Sequence, residues 1–243
     1  MKKFLFPQII LISSLLAQEA SENEEIPVVS PEESIRHRSL SLGHQEGIRT
    51  AKKQLKSEDL NKEAYLEGFL LGLENKKLSL SPKEVRDAMT RLQEKLTARE
   101  LQTANENLAA GKQFMIDNES QKGVIQSEAG FQYRVVTEGE GEPYGKSGLT
   151  GKDIFVNFRG TLPNGSEFTR SNQFGPQKIQ LDETITGFSS ALAMMRKGDK
   201  WVVFIPSDLA YGEQRHSSQI GPNQLLIFEI ELVDVRDSTP SPE

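Results

Sequence analysis

The chain has 243 residues, 36% of them hydrophobic, which is enough to bury a good core and points to two domains. Its 29 Lys and Arg against 35 Asp and Glu leave a formal charge of −6, whereas a protein that reads nucleic-acid backbones is normally basic, so no nucleic-acid partner is expected. With no cysteine, disulfides, zinc ribbons, cysteine catalysis and lipid attachment at a cysteine are excluded.

In chain order, residues 1–17 read as an export signal. Lys2 and Lys3 supply the positive start, the run from Phe4 to Leu16 is broken only by Pro7, Gln8 and two serines, and Ala17 offers a small residue for cleavage. The run is shorter than the roughly 20 apolar residues a membrane span needs. An uncleaved anchor is the alternative. The expected destination is therefore outside the inner membrane, periplasmic or at the cell surface, as a soluble protein and not a lipoprotein. Residues 18–33, acidic and serine- and proline-bearing, are expected to be a disordered lead-in.

Ser30-Pro31-Glu32-Glu33 fits a helix-capping box with proline at the first helical position. The segment Ile35 to Leu55 sets a few apolar residues among charges, with Gly43 and Gly47 four apart. A second helix is expected from Asn61 to Glu74, where Tyr65, Leu66, Phe69, Leu70 and Leu73 fall on nearly every side. Such a helix is too apolar all round to lie on a surface. Two short helices also cannot build a core alone, so residues 34–80 are expected to dimerise with a second copy of the chain. Packing on the chain's own later helix is the alternative.

Ser81-Pro82-Lys83-Glu84 is a second capping box and opens the longest helix. Nothing breaks it before Gly111, and its expected extent to Asn118 is about 36 residues, or roughly 54 Å. The stripe of Val85, Met89, Leu92 and Leu96 thins beyond Leu101, so residues 81–118 read as a solvated connecting helix. A continuous coiled coil is disfavoured because the apolar spacing slips after Leu96.

After Gly123 the apolar period becomes two. Phe131, Tyr133 and Val135 alternate with Gln132 and Arg134; Ile154, Val156 and Phe158 with Phe155, Asn157 and Arg159; and Ile179 and Leu181 with Lys178 and Gln180. In the last strand Leu226, Phe228, Ile230 and Leu232 point inward, with Glu229 and Glu231 outward. Pro163-Asn164-Gly165 supplies a hairpin turn between Phe158–Leu162 and Ser166–Arg170. Trp201 to Ile205 reads as a buried strand that stops at Pro206 and hands Tyr211 to a loop edge. One helix interrupts the strands, with Phe188, Ala191, Leu192 and Met195 on one face and Arg196 and Lys197 in its last turn. The fold class is α+β: an antiparallel sheet wrapped on one short helix over residues 124–237, preceded by an all-α domain and a long helix. Residues 238–243 read as a disordered tail.

Most catalytic patterns are missing. His37, His44 and His216 have no companion ligands, so no metal is expected. Gly187-Phe188-Ser189-Ser190-Ala191 lacks the second glycine of a nucleophile elbow and reads as a helix start. Gly139, Gly141, Gly145, Gly148 and Gly151 suit a flexible loop with no helix to receive a phosphate. What remains is a set of aromatic and aliphatic residues at strand ends and turns, which together line an apolar pocket.

These runs carry a resemblance. Val156-Asn157-Phe158-Arg159-Gly160, Asn164-Gly165-Ser166-Glu167-Phe168, Ile185-Thr186-Gly187-Phe188, Ala210-Tyr211-Gly212, Gly221-Pro222-Asn223 and Leu226-Ile227-Phe228-Glu229 resemble FKBP-type peptidyl-prolyl cis-trans isomerases. Residues 34–118 resemble, more loosely, the dimerising helices of Mip-like (macrophage infectivity potentiator) members. The resemblance implies the FKBP-like fold and prolyl isomerisation, with Phe188 as pocket floor where tryptophan is usual. It assigns the backbone donor to Ile185, the hydroxyl to Tyr211 and the polarising position to Thr169. Phe158, Phe168, Thr184, His216, Ile220 and Phe228 are then substrate-binding. No cofactor is implied. Implied partners are proline-containing exported polypeptides, a second copy of the chain, and the macrolide inhibitors of the family.

Three positions depart from the family pattern. Phe158 stands where most members have tyrosine, Thr169 where aspartate is usual, and Gln177 in place of an aromatic wall residue. Two readings follow: an exported dimeric prolyl isomerase that assists folding, and a dimeric chaperone or binding module with weak or lost isomerase activity. A third, a surface virulence factor, rests on family analogy alone.

Overall fold

The computed structural model describes residues 30–171 and 175–238. The export signal, most of the lead-in and nearly all of the tail expected from the sequence lie outside them. The chain divides into two compact units, one ending at Lys53 and the other beginning at Gln54.

In the first unit, helix α1 spans Pro31–Ala51. The Ser30 hydroxyl accepts from the Glu33 N–H at 3.2 Å and the Glu33 carboxylate accepts from the Ser30 N–H at 3.1 Å. This reciprocal cap satisfies two of the donors a helix start leaves open. Ile35, Leu40, Leu42 and Ile48 are exposed along α1.

The second unit begins with helix α2, Lys62–Leu73, capped by Asn61, whose side-chain oxygen accepts from the Ala64 N–H at 2.8 Å. Asp59, just ahead of it, is gripped by Arg99 at 2.6 Å and Lys95 at 2.9 Å. The Arg99 hydrogen bonds, then that from Lys95, hold its carboxyl far below the usual carboxylate range. Both cations lie on helix α3, Pro82–Glu119, which starts with the same reciprocal cap between Ser81 and Glu84. No residue of α2 is buried: Tyr65, Leu66, Phe69, Leu70 and Leu73 all face outward.

The sheet comprises β1 (Val124–Gln126), β2 (Gln132–Thr137), β3 (Lys152–Thr161), β4 (Glu167–Arg170), β5 (Gln177–Ile179), β6 (Lys200–Ile205) and β7 (Leu226–Asp237). Their order is β1-β2-β6-β7-β3-β4, with β5 also paired to β3, and every pairing is antiparallel. The long β3–β7 pair sets Val156 opposite Leu232, Phe158 opposite Ile230 and Gly160 opposite Phe228. Strand alternation therefore sends Ile154, Val156, Val203, Ile205, Leu226, Ile230 and Leu232 to one face, all fully buried. There they meet Phe188, Ala191 and Leu192 of helix α5, Thr186–Met194. This is the expected α+β layer pair.

The structure corrects the sequence reading at several points. A further helix, α4 at Gly145–Leu149, replaces part of the expected flexible glycine loop and is pinned by the fully buried Leu149. The expected strand over Lys178–Leu181 is shorter: β5 stops at Ile179, and Leu181 enters a single 3₁₀ turn. Arg196 and Lys197 fall beyond α5, because the Arg196 N–H donates to the buried Asp199 carboxylate at 2.7 Å. Gln132 points inward, where Asn118 donates to it at 2.9 Å and it donates to the Met115 carbonyl at 2.9 Å.

The largest correction concerns α3, whose second half docks on the sheet domain instead of crossing solvent. Phe114 packs on Phe204 with ring centres 5.8 Å apart, and Gly111 lies against Leu225. Asn107 donates to the Pro222 carbonyl at 2.8 Å and Glu100 pairs with Arg215 at 2.9 Å. The thinning apolar stripe signalled a seam made largely of polar contacts, which a hydrophobic pattern does not register. Phe204 is thereby covered on the face of β6 opposite Val203 and Ile205.

Candidate functional site

A cleft of about 670 Å³ opens between β4, the start of α5 and the loop after β6. Its base is a run of four phenylalanines set edge to face. Phe158 meets Phe188 at 5.9 Å and 83°, Phe188 meets Phe228 at 5.1 Å and 80°, and Phe228 meets Phe168 at 5.5 Å and 89°. Edge-to-face geometry suits the ring quadrupoles, and each such pair is worth about 0.5–1.5 kcal/mol beyond area burial. Phe188 and Phe228 are buried while Phe158 and Phe168 are partly exposed, so the rings form a floor that rises into walls.

Local backbone explains the ring positions. Phe158 is locked by two bonds to Ser171: its N–H donates to the Ser171 hydroxyl at 3.0 Å and its carbonyl accepts from the Ser171 N–H at 2.9 Å. Across the β3–β4 hairpin, Gly160 pairs with Thr169 beside a bulge. A side chain there would come within 2.6 Å of both Phe168 and Thr169, so glycine is what lets those two side chains lie over β3.

The polar rim has three parts. Ile185 is the N-cap of α5, so its N–H stands outside the helical ladder at the positive end of the helix. Thr184, one residue earlier, spends its hydroxyl on the Leu181 carbonyl at 2.9 Å. Tyr211 is partly buried, and desolvation pushes its phenol above the ordinary value of 10.0, so the hydroxyl keeps its proton through neutral pH. His216 stacks on the Tyr211 ring at 3.6 Å and 11°. Ile220 is buried and closes the same loop, its N–H donating to the Ser217 hydroxyl at 3.0 Å and its carbonyl accepting from the His216 N–H at 3.1 Å.

All ten residues singled out from the sequence line this one cleft: Tyr211, Ile185, Thr169, Phe158, Phe168, Thr184, Phe188, His216, Ile220 and Phe228. Thr169 presents only a hydroxyl and a methyl, and the methyl is turned toward Gly160. Sequence reasoning missed Asp182, Glu183, Ser217 and Gln219, which also line the cleft. Their only signal was position, on the turn before Ile185 and in the loop around Ile220.

A larger hollow of about 1070 Å³ shares Asp182 and Thr184 with the cleft. It is lined mainly by small and polar side chains such as Ser127, Thr150, Thr186, Ser189 and Ser190. Volume alone does not make it the better site, because ligand sites combine apolar contact with a few placed polar groups. Beside the cleft, Arg170 and Arg159 hydrogen-bond Glu167 and hold its carboxyl down at about 2.

Known proteins show the same organisation. The model of the FKBP-type peptidyl-prolyl cis-trans isomerase family matches residues 145–233, and that of the domain amino-terminal to such isomerases matches residues 36–135. The chain is 33% identical over 183 residues to "Outer membrane protein MIP" of Legionella longbeachae, covering 73% of this chain and 77% of that protein. It is 32% identical over 215 residues to "Peptidyl-prolyl cis-trans isomerase Mip" of Chlamydia muridarum, covering 86% of this chain and 84% of that protein. The crystal structure of FkpA from Escherichia coli superposes with a TM-score of 0.60 at 29% identity, over 87% of this chain and 99% of that one. With both family models in tandem and relatives above 30% identity along most of its length, the chain belongs to the FKBP-type peptidyl-prolyl cis-trans isomerases.

Proposed function

We propose that the chain is an exported, homodimeric prolyl isomerase that rotates Xaa-Pro bonds of other exported polypeptides in the aromatic cleft. The observation that carries the reading is the four-phenylalanine base in a cleft that Ile185 and Tyr211, each with a donor to offer, also line. An Xaa-Pro amide resists rotation through resonance, with a barrier of about 18–20 kcal/mol, and its planar form is more polar than the twisted one. A dry cleft therefore favours the twisted form. The prolyl ring sits on Phe188 between Phe158, Phe168 and Phe228, while the Ile185 N–H and Tyr211 hydroxyl hold carbonyls of the flanking residues. Only interactions stronger in the twisted state accelerate the turn, and each tenfold requires about 1.4 kcal/mol of such preference. No nucleophile or titrating base takes part.

Export is supported by the pattern of residues 1–17 and by the printed name of the Legionella relative as an outer membrane protein. Among the described residues no helix is long and apolar enough to cross a membrane. Dimerisation is supported by α2, whose Leu66, Phe69, Leu70 and Leu73 are exposed and whose Gly68 and Gly72 face open space in the single chain. Residues 34–80 are proposed as the dimerising part, 81–118 as the helix joining it to the isomerase domain at 124–237.

Thr169 favours a second reading, a dimeric clamp with little catalysis, because a neutral hydroxyl polarises the cleft less than a carboxylate would. A protease-coupled tetrapeptide assay decides. Acceleration above the uncatalysed rate supports the isomerase; the uncatalysed rate together with intact suppression of aggregation supports the clamp. Light scattering on residues 18–243 and 124–243 tests assembly, and a monomeric longer chain refutes the dimer.

A further inference from the structure

The loop that carries Tyr211, His216 and Ile220 is fastened from outside the sheet domain. Arg215, between the cleft residues, forms a two-pronged pair with Glu100 of α3: its Nε lies 2.9 Å from one carboxylate oxygen and its terminal nitrogen 2.9 Å from the other. Two further bonds follow that pair along the same helix. Asn107 donates to the Pro222 carbonyl at 2.8 Å, and Asn223 donates to the Ala104 carbonyl at 3.3 Å. Glu100, Ala104 and Asn107 are spaced by four and three residues, so they share one face of α3. Gly221 sits where Asn107 and the Arg215 guanidinium converge: a side chain there would lie 3.1 Å from the Asn107 amide.

On its inner side the same loop is tied to β4 by one bond, the Gln219 amide donating to the Glu167 carbonyl at 3.3 Å, and by the buried Ile220 side chain. It is closed on itself by the His216 N–H to the Ile220 carbonyl and by the Asn223 N–H to the Gly212 carbonyl at 2.7 Å. Its outer side is held by the α3 contacts. From these contacts we infer that α3 is a positioning element of the prolyl site, holding His216 against Tyr211 and Ile220 against the cleft through the Glu100–Arg215 pair. The inference rests on the cleft being the prolyl site. A helix that only separated two domains would not need to grip a substrate loop at three successive contact points. In this arrangement a bend or rotation of α3 near Glu100 moves the cleft wall.

A wall that binds substrate and twisted form alike alters KM and leaves kcat. The experiment uses the full chain with Glu100→Ala, Arg215→Ala and the exchanged pair Glu100→Arg with Arg215→Glu, against an uncharged proline tetrapeptide. A partly exposed pair of this kind contributes up to about 1 kcal/mol, so each single variant is expected to raise KM by up to about fivefold with kcat within twofold. The second readout is the His216 imidazole proton shift, displaced in the native chain by the stacked Tyr211 ring. The single variants move it toward the free-histidine value, and the exchanged pair restores both KM and shift. Glu100 and Arg215 are both partly exposed, and circular dichroism checks that each variant keeps its fold. Native KM and native His216 shift in the single variants overturn the inference, as does an exchanged pair that rescues neither. A native chain without isomerase activity refutes the functional reading instead, and the His216 shifts then decide the positioning contact independently.

Discussion

Gly160→Ala tests how the cleft is assembled. The added carbon would stand 2.6 Å from Phe168 Cζ, 2.6 Å from Thr169 Cγ2 and 2.8 Å from Phe168 Cε2. Carbon atoms in contact prefer about 3.5–4.0 Å, so both side chains have to retreat by about 1 Å. Overpacking of this size costs about 1–3 kcal/mol. Phe168 is partly exposed and gives way first, swinging into the cleft and forfeiting its 89° contact with Phe228, itself worth about 0.5–1.5 kcal/mol. The expected outcome is a loss of about 1–3 kcal/mol in urea unfolding together with roughly a tenfold fall in kcat/KM, since 1.4 kcal/mol of lost preference is one decade. Gly165→Ala is the control. It lies in the same hairpin, with φ of +84° but open space around it, so it costs stability through backbone strain of about 1 kcal/mol and leaves kcat/KM unchanged. Equal activity losses in the two variants, or native stability and activity in Gly160→Ala, would refute the close-approach argument.

Four further outcomes are expected. Tyr211→Phe keeps the thermal midpoint and lowers kcat/KM about three- to tenfold, the worth of one hydrogen bond at about 1 kcal/mol; native kcat/KM in this variant would remove the hydroxyl from the mechanism. Because burial raises the Tyr211 pKa, its contribution to stability is present below pH 10 and lost as pH rises through the folded value; activity is accordingly flat across neutral pH, and a bell-shaped profile centred near 7 would contradict a site without a titrating base. Thr169→Asp, which restores the usual family carboxylate, raises kcat/KM, and no change or a fall counts against the assigned position. Glu167, at about 2 when folded against an ordinary 4.5, binds its proton more readily unfolded. Its stabilisation is thus complete above pH 4.5 and lost as pH falls toward 2, so Glu167→Gln flattens the acid-unfolding profile in that window, most clearly at low salt.

Local signals in the sequence carried the elements they govern. The two capping boxes located the starts of α1 and α3, Asn61 the start of α2, and the alternation in Leu226–Leu232 the inward face of β7. Six residues of the cleft were legible because family runs contain them, the other four by their place beside those runs, and the fold brings all ten to one place. What stayed hidden depends on partners far away in the chain. Gln132 reads as an outward residue until Asn118 and Met115 supply its bonds, and Arg196 reads as helical until Asp199 takes its N–H.

The sequence by itself determined the alternation of an all-helical front half with an antiparallel sheet, because hydrophobic period and helix caps are properties of neighbouring residues. It also placed aromatic residues at the strand ends and turns that the fold gathers into one cleft. Tertiary structure alone decided that the rings stand edge to face, that Gly160 makes room for Phe168 and Thr169, and that the polar half of α3 grips the loop bearing Tyr211 and His216. Those are contacts between residues up to 119 positions apart, made by ring packing, close approach, hydrogen bonds and ion pairs that leave no periodic trace in the chain.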